Sequence, residues 1–324
     1  ADSVVGNVVK LAAKSSKISA WINVCGALAQ FGRVWVGPNI DFTGGGMADF
    51  SRVTYSVSDG VARITLDRAD LRNAQDKAML YELNDAFDLA AQDDDVKVVV
   101  LAANGPHFSS GHDLADRSEL SDYTPVSNWG GYTKPGAEGR QALEEEIYLG
   151  LCWRWRNLPK PTIAQVQGKV IAGGLMLVWV CDLIVATTET TFSDPVVAFG
   201  VNGVEYFAHP WEFGPRKAKE LLFTGGRMSA EEAHSCGMVN HVVPTGELSE
   251  FTDQLAARIA QRPSMGLRLA KQSVNQAQDA QGFYSALQAA MSLQQLGHAN
   301  NEIVHGRAVD PAGAEVIKRE AKLP

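Results

Sequence analysis

Three features of this 324-residue sequence predict an α/β fold with a mostly parallel sheet. Short β-branched runs alternate with helix-patterned segments, the order that strand–helix–strand crossovers produce. One strand passes through two adjacent glycines straight into an apolar helix, and from about Glu247 onward the pattern is wholly helical. With 45% hydrophobic and 20% charged residues, the chain has the composition of a globular protein with one large domain and an appendage.

Residues 1–46 stand apart. Lys10, Lys14, Lys17 and Arg33 against Asp2 and Asp41 give them a charge of +2, whereas the remainder carries −10. Gly44-Gly45-Gly46 then precedes Met47, so residues 1–46 read as an N-terminal extension or added segment; a short helix is the alternative, from the partial helical spacing of Val4, Val8, Leu11 and Ala12. A short, interrupted apolar run argues against a signal peptide.

From Met47 to residue 246 the elements follow in order. Val53, Tyr55 and Val57 alternate, Ser58-Asp59-Gly60 turns the chain, and Val61 to Leu66 alternates again, which spells a β-hairpin. Met79, Leu80, Leu83, Ala86, Phe87 and Ala90 recur at helical spacing behind Asp76, a suitable N-cap. Asp93-Asp94-Asp95 ends that helix before the strand Val96 to Ala102. A second strand, Pro161 to Val166, leads into Gln167-Gly168-Lys169-Val170-Ile171-Ala172-Gly173-Gly174 and the apolar segment that follows. Adjacent glycines at a helix start leave backbone N–H groups unshielded and permit close approach of a ligand, which suits an oxyanion.

At these residues the chain resembles the crotonase (enoyl-CoA hydratase/isomerase) superfamily. Besides the Gly173-Gly174 loop, Arg68-Ala69-Asp70-Leu71-Arg72-Asn73-Ala74 resembles its Arg-Pro-x-x-x-Asn-Ala turn and Phe108-Ser109-Ser110-Gly111-His112-Asp113-Leu114 its Phe-Ser/Ala-Ala-Gly-Ala-Asp-Leu/Ile loop. Further on, Leu221-Leu222-Phe223-Thr224-Gly225, Ser229 to Ala233 and Gly237 to Val243 resemble its later motifs, so the likeness runs from about Met47 to about Gly297. The resemblance implies a crotonase-like ββα spiral core over 47–246 and a helical region over 247–324 that packs subunits into a homotrimer or a dimer of trimers.

It also implies the chemistry. The substrate would be a coenzyme A thioester, with no separate cofactor, and its enolate oxygen would be held by the backbone N–H groups of His112 and Gly173; one such donor contributes roughly 3 kcal/mol. The His112 ring is then read as a pocket wall. Ser110, Asp113, Leu114 and Gly174 line the substrate, Asp113 as a loop-ordering acceptor. Leu71, Arg72 and Ala74 match the turn that borders the adenine in relatives, and Lys271 sits on a helix that assists with phosphates; a solvated surface is the plain reading of both cations.

The acid–base groups depart from the pattern. The two glutamates that hold and activate water in hydratases of this type fall on Met176 and Val196, which move no protons. The nearest carboxylates are Glu205 and Asp194. Other superfamily members place a working aspartate within one residue of the Glu205 position, which makes Glu205 the first candidate for a base or nucleophile; its alternative is a helix-start carboxylate satisfied by backbone N–H groups. Asp194, in Ser193-Asp194-Pro195, has turn chemistry as its alternative.

The remaining classes are narrowed by composition. A net charge of −8 argues against nucleic acid, seven histidines form no HxxxH or HExxH pair for a metal, and no apolar run reaches membrane-spanning length. Scattered cysteines predict reduced thiols and a cytoplasmic setting. An acyl-CoA hydrolase, a non-catalytic acyl-CoA binding protein and an oligomeric interaction platform are the alternatives to a hydratase/isomerase-like enzyme.

Overall fold

A computed structural model describes residues 50–320, so the expectations for residues 1–46 lie outside the described residues. Strands β1 (Val53–Ser58) and β2 (Val61–Leu66) form the expected antiparallel hairpin, with Val53 opposite Leu66 and Ser58 opposite Val61. Asp59 and Gly60 turn it with φ values of 51° and 77°, the left-handed pair that a two-residue turn needs to match strand twist.

Helix α1 (Lys77–Gln92) begins where expected: the Asp76 side chain accepts from the Met79 N–H at 2.9 Å. It returns the chain to β3 (Val98–Ala103), which runs parallel to β2. Strands β4 (Thr162–Val166), β6 (Leu183–Thr187) and β9 (His241–Val243) add in parallel, giving a six-stranded sheet of order β1-β2-β3-β4-β6-β9. Strands β5 (Lys169–Ile171), β7 (Thr191–Ser193) and β8 (Met228–Ser229) form a second, smaller sheet.

Every residue of β3 is buried, which follows from its being covered on both faces. On one face Ile64, Leu66, Met79, Leu83 and Leu101 share the main core. On the other, Val98, Val100, Ile163 and Val185 pack with Leu248, Leu255 and Ala256. The last three belong to the helix Leu248–Ala260, so the expected boundary at 246/247 falls between a strand and the helix that covers its sheet. The helices Ser264–Ala280, Phe283–His305 and Gly313–Glu320 follow, as the helical pattern predicts.

One element was not expected. Between α2 (Gly136–Glu144) and α3 (Leu151–Arg156), residues Glu145–Gly150 form a π-helical turn. Such widened turns re-aim side chains within a helix, and this one places Tyr148 beside His112.

Candidate active site

The two glycine-bearing loops meet at the ends of β3 and β5. Phe108 N–H donates to the Gln167 carbonyl at 2.9 Å and Ile171 N–H to the Ser109 carbonyl at 3.0 Å, which docks residues 108–112 along the approach to helix α4 (Gly173–Trp179). Ser109 is wholly buried; its hydroxyl donates to the Asn73 carbonyl at 2.8 Å and accepts from Gln75 Nε2 at 3.1 Å. The turn 71–74 joins this junction as well, since Ser110 N–H donates to the Arg72 carbonyl at 3.0 Å.

The glycines are required for a reason other than ligand approach. A Cβ on Gly173 would lie 2.4 Å from His112 Cδ2, and one on Gly174 would lie 2.8 Å from the Ser109 carbonyl oxygen. Protein, rather than substrate, occupies the space that side chains there would need. Between them and β5 stands Ala172 at φ 49° and ψ −118°, a strained conformation for a residue with a Cβ. Gly173 opens α4, and an N–H in a first helical turn has no intrahelical acceptor.

The His112 imidazole stacks on Tyr148 with ring centroids 3.8 Å apart and planes 9° from parallel. Its Nε2 lies 3.8 Å from Glu205 Oε2, and both atoms are buried without a hydrogen-bond partner. Burial holds the imidazole down to about 4, with the charge of Asp194 acting weakly the other way. Burial first, and then the negative charge of Glu144, push the Glu205 carboxyl well above the ordinary carboxylate value. Burial thus favours the uncharged form of both groups, an imidazole base facing a carboxylic acid, the divergence that marks proton-transfer sites.

The long helix Phe283–His305 backs this pair. Gln294 Nε2 donates to Glu205 Oε1 at 3.3 Å, Gln295 Nε2 donates to Glu144 Oε2, and His298 Nε2 lies 3.3 Å from Glu144 Oε1. Glu144 and Glu205 are 8% and 7% exposed.

The other expected site residues fall in different places. Asp194 is buried and engaged: Oδ1 accepts from Val196 N–H at 3.2 Å, and Oδ2 accepts from Val204 N–H at 2.9 Å and lies 2.8 Å from His209 Nε2. Its carboxylate is thus tied into the fold, which fits its turn-forming alternative. Asp113 orders its loop, accepting from Arg68 at 2.8 Å and Ala115 N–H at 2.9 Å. Leu71, Arg72 and Leu114 are exposed beside the junction and Ala74 is half-buried. Lys271 lies apart from the loops: its ammonium is buried and bound to Asp182 Oδ2 at 2.9 Å and the Lys160 carbonyl at 3.1 Å, at the start of β4 and the opposite end of the strand from the glycine loops. An internal ion pair occupies it. Met176 is buried and Val196 half-buried, both apolar, where the two glutamates were sought.

A family model described as enoyl-CoA hydratase/isomerase matches residues 56–308. The chain belongs to the enoyl-CoA hydratase/isomerase family. EchA13 of Mycobacterium tuberculosis, which carries the name of an enoyl-CoA hydratase, is 49% identical over 269 residues, 80% of this chain and 85% of that protein. A crystal structure of a probable enoyl-CoA hydratase from Mycobacterium smegmatis is 48% identical, covers 80% of this chain and 98% of its own, and superposes with a TM-score of 0.73. One from Mycobacterium thermoresistibile is 49% identical, covers 80% and 99%, and superposes with a TM-score of 0.74. These likenesses confirm the crotonase fold. Among the described residues no helix is long and apolar enough to cross a membrane.

Within this enoyl-CoA hydratase/isomerase family fold, the sequence reading missed Tyr148, Glu144, Gln294, Gln295 and His298. Three consecutive glutamates at 144–146 in an otherwise amphipathic stretch were the available signal, since all three are buried and unpaired buried carboxylates are costly.

Proposed function

We propose that the protein catalyses proton transfer beside the carbonyl of an acyl-CoA thioester, as hydration or double-bond shift of an enoyl-CoA. The observation that carries this is the unpartnered, buried pair of His112 Nε2 and Glu205 Oε2, 3.8 Å apart at the junction of the two glycine loops. The backbone N–H groups of His112 and Gly173 hold the enolate oxygen as charge develops. Leu71, Arg72, Ala74, Ser110 and Leu114 border the CoA and acyl portions.

Neutral Nε2 accepts a proton, from a water that adds to the β carbon or from the γ carbon, while protonated Glu205 delivers one to the α carbon. The products are an imidazolium and a carboxylate, which reset by passing one proton between them. Burial favours both forms needed, so kcat/KM should fall as pH drops through about 4, where His112 takes up a proton, and fall again on the alkaline side as Glu205 deprotonates.

Turnover of a panel of 2-enoyl-, 3-enoyl- and dienoyl-CoAs tests the reading. Glu205→Gln should lower kcat about 10²- to 10⁴-fold with little change in KM. A non-catalytic acyl-CoA binding role is favoured by the apolar Met176 and Val196; CoA-thioester binding with no turnover of any panel member, unchanged by Glu205→Gln, is the result that would establish it.

The trimer belongs to the same proposal. Leu293, Leu296, Ile303 and Val304 on the helix Phe283–His305 are 57%, 65%, 85% and 61% exposed, a density of apolar surface suited to subunit contact. Sedimentation velocity should return three or six copies; a monomer would contradict this.

A further inference from the structure

We propose that Glu144 is a positioning residue that keeps the Glu205 carboxyl in its proton-donating form, a role that rests on the acid–base reading of this site. The geometry comes first. Glu144 and Glu205 arrive from distant segments and are gripped by consecutive residues of one helix, Gln295 and Gln294. Glu144 also closes the last α-helical turn before the π-helical residues, four positions ahead of Tyr148, whose ring lies flat on His112. One short element therefore supplies both the wall behind the imidazole and the carboxylate behind the acid.

The electrostatics follow from that placement. Two buried carboxyl groups that feel each other's charge resist joint ionisation, so a negative charge on one favours the proton on the other. After burial itself, Glu144 is the largest influence raising Glu205. The remaining groups that face Glu205 are Asp194, His112, Tyr148 and Cys152; around Glu144 stand His298 and, farther along, Arg140. Burial, the largest influence, pushes His298 down, but Glu144 and the Ala308 carbonyl together outweigh it and leave it raised. The imidazolium so favoured lies 3.3 Å from Glu144 Oε1, while Gln294, a neutral donor, is all that Glu205 receives from the same helix. A cation on one carboxylate and an amide on the other directs the proton to Glu205.

Infrared difference spectroscopy on the full chain without substrate reads this directly. The carboxylic C=O band that disappears in Glu205→Gln is assigned to Glu205 and then followed across a pH titration. Glu144→Gln keeps the shape and hydrogen-bonding reach of the side chain and removes its charge, so the band's midpoint should fall by about one pH unit or more. His298→Gln removes the cation that keeps the proton off Glu144, so Glu144 takes up part of the proton and the Glu205 band should weaken at neutral pH. Both variants draw the proton away from Glu205, and either one decides the matter if the other misfolds. An unchanged midpoint in a folded variant overturns the proposal, as would the absence of any Glu205 carboxylic band at neutral pH. Turnover is measured separately: shifted midpoints in a protein that turns over no thioester support the coupling and remove only the catalytic reading of the site.

Discussion

At Gly174 the Ser109 carbonyl oxygen stands 2.8 Å from where a Cβ would lie. Backbone cannot swing aside as a side chain does, so Gly174→Ala should cost about 1–3 kcal/mol in chemical denaturation and loosen both loops; a variant as stable as the parent would show that the loops have room to separate. Residue by residue, the loops themselves were legible, because a glycine that admits another backbone leaves its mark as a motif. The pairing of His112 with Glu205 was not. The two residues lie far apart in the chain on different loops, and no spacing rule connects them. The partners of Asp194 and Lys271 were illegible for a related reason: a carboxylate or ammonium looks free in a sequence until the N–H groups, imidazole or carboxylate that engage it are seen.

Among the elements, the hairpin and α1 follow their local patterns because local terms decide them: the turn pair Asp59-Gly60 and the Asp76 cap. Asp76 also takes ion pairs from Arg52 at 2.9 Å and Arg68 at 3.4 Å. Asp76→Ala should therefore cost about 2–4 kcal/mol, more than an isolated cap, by removing an N–H acceptor and leaving two guanidinium groups short of a partner. A loss under about 0.5 kcal/mol by urea denaturation would mean that water replaces the carboxylate well. The π-helical turn at Glu145–Gly150 was illegible because its cause is tertiary. Glu146 accepts from Tyr81 at 2.8 Å and from the N–H groups of Val126 and Ser127 at 2.7 and 2.8 Å, while Glu144 is held from the opposite side by the helix Phe283–His305. Satisfying both carboxylates accompanies the extra residue in the turn and points Tyr148 at the site.

Across the whole molecule, acid sensitivity is built into the active-site region. The His112 pKa is lowered from 6.5 to about 4 by burial, so folding releases a proton wherever the unfolded chain is protonated. The stability this contributes is complete above pH 6.5 and is lost as pH falls through about 4, to the extent of about 3 kcal/mol. His112→Phe retains the ring stack and cannot titrate, so it should lose that much less stability over the same interval. Equal losses in the two proteins would show that the imidazole is not held neutral. The fold class, the parallel sheet and the helical tail were readable from periodicity and motif order. The second core, where the helix Leu248–Ala260 covers Val98, Val100, Ile163 and Val185, needed the assembled sheet, because a strand buried on both faces does not say which helix covers each.

Exchange of solvent deuterium into the α carbon of a 2-enoyl-CoA, followed by NMR, reports passage through the enolate whichever product the reaction yields. The pairing of His112 with Glu205 beneath the two glycine loops predicts exchange well above the uncatalysed rate and a decrease of about 10²-fold or more in both Glu205→Gln and His112→Phe. Exchange no faster than in buffer, or undiminished in those variants, would contradict it.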